Sequence, residues 1–314
     1  MAHQYSQSGT TPGDSHAVSL KVLRLSRPSL ATQTPLPRTS FGNGLDIPPK
    51  ASLAYSAADH ESTFAFTPLL TLPAAFGAAY VGETFACTLC ANNEVREDEK
   101  RRVSGVRIAA ELQTPGNPAG TELHLSSAED LGDEHGDVPG TTLQRTVRYE
   151  LKEEGPHVLA VTVSYTETLR GSEGGASGGR ARSFRKLYQF VSQQLIAVRS
   201  KVTERKRRGG GTGRQWVLEA QLETVGEASA VLEKIWLQGR DGIRCRAMTG
   251  GPGKAALVLK PQDVEQVMYL LDETESGEEY GTGRVPLAQM NIDWRSAMGE
   301  RGSLTTGWLA SRGR

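Results

Sequence analysis

Residues 106–113, VRIAAELQ, alternate strictly. Val106, Ile108, Ala110 and Leu112 fall on one face of an extended chain, and Arg107, Ala109, Glu111 and Gln113 on the other. A period of two belongs to a half-buried strand. The pattern recurs along the chain. Residues 17–28 place Val18, Leu20 and Val22 on one face and Leu23 and Leu25 on the other, with Pro28 as the expected stop. In 142–155 the aligned residues are Leu143, Val147, Tyr149 and Leu151, with Arg145 the exception. In 157–169 they are Leu159, Val161, Val163 and Tyr165, and 183–195 adds an aromatic strand.

A second series starts at 214–225, with Trp216, Leu218, Ala220 and Leu222 on one face. It continues through 230–239, 255–260, 265–271 and 285–294. Residues 263–273, DVEQVMYLLDE, also fit a helical period through Val264, Val267, Met268 and Leu271; strand is the preferred reading. Short strands separated by turn residues specify antiparallel sandwiches, not alternating β/α units. The expected class is all-β, two sandwiches in tandem. Residues 1–16 form a disordered tail, 17–199 the first sandwich with a long Pro- and Gly-punctuated loop at 29–60, and 200–314 the second. An acidic loop (129–142), a Gly-rich tip (171–181) and a basic Gly-rich loop (205–214) read as surface excursions.

Charge narrows the function. Lys+Arg and Asp+Glu are 36 each, for a net charge of +0 over 314 residues, so no global field draws the chain to nucleic acid or anionic membrane. No run approaches the roughly 20 apolar residues of a membrane helix, and the first residues lack a signal-peptide core. Three cysteines, an odd number, agree with a reducing cytosolic setting.

The strongest candidate for chemistry is the C-x-x-C at Cys87 and Cys90. On a strand, Phe85, Cys87 and Leu89 point one way and Cys90 the other, so the two thiols cannot share one zinc. Cys245 stands alone, and no His pair completes four ligands. The expected role is that of core thiols. TGGPGKAA (249–256) imitates a phosphate loop, but that motif needs Gly where Met248 stands and a hydroxyl where Ala255 follows Lys254. The basic run at 205–208 lacks stacking aromatics and reads as a solvated hairpin loop. His3, His16, His60, His124, His135 and His157 are scattered, and Ser164 sits in no nucleophile elbow. The carboxylate-rich run at 272–279 is a solvated loop. No catalytic, cofactor or metal site is expected.

Three segments together resemble one family: SLKVLRLSRP (19–28), LTLPAAFGAAYVGETF (70–85) and NIDWRSAMGERGSLTTGWL (291–309). They are similar to the signatures of trafficking protein particle (TRAPP) complex subunit 13. VRIAAELQT and GPHVLAVTVSYT also match that family's run of strands. The resemblance implies immunoglobulin-like sandwiches and a non-catalytic accessory subunit without cofactors. It implies other TRAPP subunits as partners and a Rab-family GTPase reached only through the complex. It also implies ER–Golgi traffic and autophagy, in the cytoplasm at the periphery of Golgi and early secretory membranes. Nucleic acid is not an expected partner. Family members continue after the GERG segment into a further sandwich, which is either absent in this lineage or cut off here. The competing reading is a free-standing arrestin-like adaptor for cargo or membrane.

The segments also have readings of their own. Pro73 ends a short strand, Gly77 and Gly82 permit turns, and Phe76, Tyr80 and Phe85 cap the sandwich core. The segment runs along an edge or crosses between sheets. Gly299 and Gly302 bracket a hairpin turn at Glu300–Arg301, with Trp294 and Trp308 as core anchors on its two sides.

Overall fold

Side chains that alternate in the sequence alternate in burial. Leu159, Val161, Val163 and Tyr165 are buried while Thr162 and Ser164 between them are more exposed, and Trp216, Leu218, Ala220 and Leu222 repeat the pattern. A computed structural model describes residues 15–31, 70–73, 76–126, 136–169, 178–206, 213–249, 256–274 and 284–311. Residues 1–14 of the expected 1–16 tail, most of the loop at 29–60, residues 250–255 of the phosphate-loop look-alike and residues 275–279 of the acidic run lie outside the described residues. So do half of the 129–142 excursion and most of the 171–181 and 205–214 excursions.

The described residues are all-β. In chain order the strands are β1 Val18–Arg24, β2 Ser29–Leu30, β3 Leu70–Thr71, β4 Ala78–Tyr80, β5 Thr84–Asn93 and β6 Arg101–Thr114. Then come β7 Asn117–Glu122, β8 Leu125–Ser126, β9 Thr142–Glu150, β10 Gly155–Leu169 and β11 Arg180–Gln193. These are followed by β12 Ile196–Arg205, β13 Gln215–Thr224, β14 Ala230–Gly239, β15 Ile243–Ala247 and β16 Leu257–Leu259. The last are β17 Val264–Glu273, β18 Val285–Ser296, β19 Arg301–Thr305 and β20 Leu309–Ser311.

Two hydrophobic cores result. One sheet, ordered β1-β5-β9-β8, and another, β4-β11-β10-β6-β7, contribute the first core: Phe85, Leu89 and Val147 from one, Leu112, Leu159 and Val161 from the other. The sheets β12-β13-β17-β15 and β16-β14-β18-β19 contribute the second, with β20 also on β18; Trp216 and Leu271 meet Leu287, Ile292 and Trp294 there. Pairing is antiparallel except between β4 and β11. Fully burying a side chain such as Phe85 or Leu218 is worth about 1.5–3 kcal/mol. The stretch 263–273 is a strand, as preferred: β13 pairs along it from Glu223↔Val264 to Gln215↔Asp272.

Several expectations shift. The first strand ends at Arg24, before Pro28, because Arg27 adopts a φ of 60° and turns the chain. Ser29–Leu30, expected in a loop, pairs with Leu70–Thr71. His16, expected in the tail, packs on Phe184 with its Nδ1 3.0 Å from the Tyr165 hydroxyl. Gly302 lies inside β19, not in the turn; the turn is closed by Gly299 N–H to Ser296 O at 3.1 Å and Ser296 N–H to Glu300 O at 2.8 Å. Trp294 anchors the core at 1% exposure, but Trp308 is 51% exposed. The chain leaves β19 at Thr305 and crosses to reach β20, and Trp308 rides on that connection, outside the strands.

Candidate functional site

The three segments that carried the family resemblance meet in space, at the junction between the two cores. Each contributes a constraint readable in its own chemistry.

Arg24 lies on the inward face of β1, in phase with Val18, Leu20 and Val22, and is only 3% exposed. A buried guanidinium must be matched nearly completely. Its Nη2 meets Glu83 Oε1 at 2.9 Å, and Glu83 is also 3% exposed. Nε donates to Ser26 Oγ at 3.0 Å, and Nη1 donates to the carbonyls of Phe76 and Ala78. Burial pushes both groups toward their neutral forms, Arg24 down and Glu83 up, while each charge holds the other ionised. Arginine starts so far above neutrality that it stays a cation, and the pair stands as an ion pair.

The turn after β4 carries this pair to the second core. Gly82 has a φ of +88°, and a Cβ there would overlap the Ser303 carbonyl oxygen. Only glycine permits that approach. Gly82 O accepts from Ser303 N–H at 3.2 Å, its own N–H donates to Leu151 O at 2.6 Å, and Glu83 forms an isolated bridge with Gly302. Gly302 is itself forced, since a Cβ there would enter the Trp294 ring.

Tyr80 completes the joint. Its backbone belongs to β4, beside the first core, yet its side chain joins the second. The ring stands edge-on to Trp294 at 6.3 Å, the hydroxyl accepts from Glu227 N–H at 3.1 Å, and the Arg27 guanidinium lies 4.3 Å over its face. Phe76 and Phe85, by contrast, pack into the first core, so the three aromatics expected to cap one core divide between two. The expectation that this segment runs along an edge holds at β4, the outermost strand of its sheet.

A cleft of about 520 Å³ opens beside the joint. Glu150 lines it from the first core; Glu233, Asp293 and Arg301 line it from the second. Glu233 is held by Arg295 at 2.9 Å and Arg301 at 3.4 Å. A second groove, of about 630 Å³, lies between β12 and the Trp308–Ser311 segment.

The sequence's chemical candidates stay apart. Cys87 points into the first core and Cys90 toward the opposite face of β5. Burial pushes the Cys87 thiol up to about 12 and the Cys245 thiol up to about 11, which keeps both protonated near neutral pH. His157 is buried with Nδ1 3.0 Å from Gly155 O and its ring stacked on Phe190. Among the described residues no three of His, Cys, Asp and Glu gather as metal ligands, and no helix is long and apolar enough to cross a membrane. His3, His60 and His135 lie outside the described residues. Sequence reasoning passed over Arg24, Arg27 and Glu83. A signal existed for Arg24: a charge on the buried parity of a strand must have a partner.

The family model for the N-terminal region of trafficking protein particle complex subunit 13 matches residues 16–192, and the model for its middle domain matches residues 196–312. The chain belongs to this family. The rat protein of that name is 27% identical over 320 residues, covering 95% of this chain and 70% of the rat protein. The Drosophila melanogaster homologue is 28% identical over 313 residues, covering 94% of this chain and 64% of its own length. Among solved structures, similarity is found to E. coli alpha-2-macroglobulin, at 9% identity and a TM-score of 0.31, covering 75% of this chain and 16% of that one. The resemblance noted in the signature segments is therefore upheld, and the joint is built from those segments.

Proposed function

We propose that this chain is a non-catalytic accessory subunit of a TRAPP vesicle-tethering complex, acting through its surfaces. The observation that carries the reading is the family match over both regions of the chain. The joint supports it: the residues that mark the family build a rigid connection between two cores, as a scaffold requires, and not a reactive pocket. In this reading each core is an immunoglobulin-like sandwich domain, and the two meet near residues 194–196, ahead of the continuous strand β12. A Rab-family GTPase is reached only through the complex, whose exchange chemistry lies in other subunits. The chain works in the cytoplasm, at the periphery of Golgi and early secretory membranes, in ER–Golgi traffic and autophagy.

The test is copurification. A tagged copy expressed in its own cells brings down other TRAPP subunits, identified by mass spectrometry. A preparation that retains the folded protein and contains none of them ends this reading.

A further inference from the structure

Most sheet edges in this fold are short or guarded. β8 has two residues, β4 and β16 have three each, and β7 carries Pro118 and Gly120. β1 is longer, but Lys186 Nζ donates to its Leu20 carbonyl at 3.2 Å. Such devices keep an edge from recruiting another strand. β12 has none of these three. Among the described residues it is the longest strand at the end of a sheet. It contains neither proline nor glycine and pairs with β13 over ten consecutive positions without a bulge. Its cations lie on the outward face of the sheet, where Glu223 stands opposite Ala197 beside Arg199, and Glu219 stands opposite Lys201.

Register fixes which backbone groups are open. Val225 N–H donates to Leu195 O at 2.9 Å, and this pair continues the β12–β13 register. Bonded and open positions alternate along an antiparallel strand. Ala197, Arg199, Lys201 and Thr203 therefore turn their N–H and C=O toward β13, and Val198, Ser200, Val202 and Glu204 turn theirs away from it. Among the described residues nothing bonds to those four outer positions. The same stretch, Ser200–Glu204, forms one wall of the groove of about 630 Å³. Ser200 and Glu204 share the inward parity of Ile196 and Val198, yet both are exposed, because the second core ends short of them. The facing wall is the Trp308–Ser311 segment, where Trp308 is 51% exposed.

We propose that this groove takes an extended segment of a partner subunit, which adds to β12 as a further strand and turns an apolar side chain onto Trp308. The open donors and acceptors recur every second residue, about 6.8 Å apart, and another extended backbone has the same repeat. A helix cannot answer them, because its own backbone groups are bonded internally. The exposed indole supplies apolar area beside the edge for a side chain of the added strand. In strand addition the main chain provides the affinity and alternate side chains the selectivity. That the partner is a TRAPP subunit rests on the reading above.

The experiment uses proline where the register makes it selective. Ser200→Pro removes an outward N–H and leaves the β13 ladder whole, whereas Lys201→Pro removes a ladder bond and lowers the urea midpoint. In the tagged full chain, Ser200→Pro recovers TRAPP subunits about tenfold less well, or worse, than wild type. Trp308→Ala does the same, and Leu187→Ala, an exposed apolar truncation on the first core, changes nothing. Hydrogen exchange on the wild-type protein gives a readout that needs no variant. In the free chain the amides of Ser200, Val202 and Glu204 exchange fast and those of Lys201 and Thr203 slowly; in the complex all five are slow. Equal recovery by a folded Ser200→Pro, or no added protection of the outer amides in the complex, overturns the docking and leaves the family reading standing. If Ser200→Pro does not fold, the exchange measurement decides alone. A photo-crosslinking residue in place of Trp308 joins to a partner subunit; a crosslink only to this chain or to a second copy of it also overturns the proposal. If wild type recovers no TRAPP subunit, the family reading itself fails, and the partner strand falls with it.

Discussion

Arg24 and Glu83 form a pair whose value depends on both members being present. Removing Glu83 leaves a buried guanidinium unmatched, and removing Arg24 leaves a buried carboxyl that must take up a proton or stay unmatched, so Arg24→Met and Glu83→Met each cost about 3–5 kcal/mol. Replacing both by Met leaves an apolar contact of similar volume and recovers most of that loss. Urea unfolding of the two single variants and the double variant checks this; equal, additive losses would show that the pair is not coupled. Cys87 offers a pH test with a definite sign. Its thiol is raised in the folded protein, from 9.0 to about 12, so its contribution to stability is intact below pH 9 and is lost as pH rises from there toward 12. Stability should fall by about 1.4 kcal/mol per pH unit above pH 9 on this account alone. Cys87→Ala flattens that slope, whatever it does to stability at neutral pH. Iodoacetamide at pH 8 should leave Cys87 unmodified until the protein is unfolded.

At the scale of strands, position in the sheet decides how much a residue matters. Leu218 and Val202 are direct partners across β13 and β12. Leu218 is fully buried on a central strand, whereas Val202 is half-buried on an edge strand. Leu218→Ala should cost about 2–5 kcal/mol and Val202→Ala about 1 kcal/mol, read as shifts in the urea midpoint. The same contrast explains which strands were legible. β6, β10 and β13 alternate cleanly because one face is dry and the other wet, and their residues announce it. β12 has Ile196, Val198 and Val202 at inward positions but Ser200 and Glu204 among them, which breaks the period, because the edge of a sheet is open to water. It passed unread, and the expected domain boundary at 199–200 fell within it. β7, with Pro118 and Gly120, and the five-residue β15 carry turn residues or too few repeats for a period to emerge. The joint was legible only in part. Gly82 and Gly302 stood out as glycines, but that one meets the Ser303 backbone and the other the Trp294 ring depends on contacts distant in the chain.

For the molecule as a whole, the joint decides whether two cores behave as one body. Contacts between domains of one chain are commonly small and polar, which leaves the domains free to move and to unfold separately. Here the contact is of another kind. A tyrosine from the first core's edge strand is buried in the second, Gly82 lets its backbone touch that of Ser303 while Gly302 makes room for the Trp294 ring, and a fully buried ion pair sits behind the turn that makes the contact. Neither core can lose its packing at Tyr80 or Gly302 without disturbing the other. Calorimetry should therefore record one transition, with calorimetric and van't Hoff enthalpies in agreement. Gly82→Val attacks that contact directly, and Gly302→Val reaches it from within the second core, through the Trp294 ring that packs on Tyr80. The side chain introduced by the first would meet the Ser303 carbonyl and that introduced by the second the Trp294 ring, so each substitution should split the trace into two transitions, one for each core. Two resolved transitions in the unmodified chain would show that the joint does not couple the cores, and a scaffold that holds its faces at a fixed angle would then need its rigidity from partners instead.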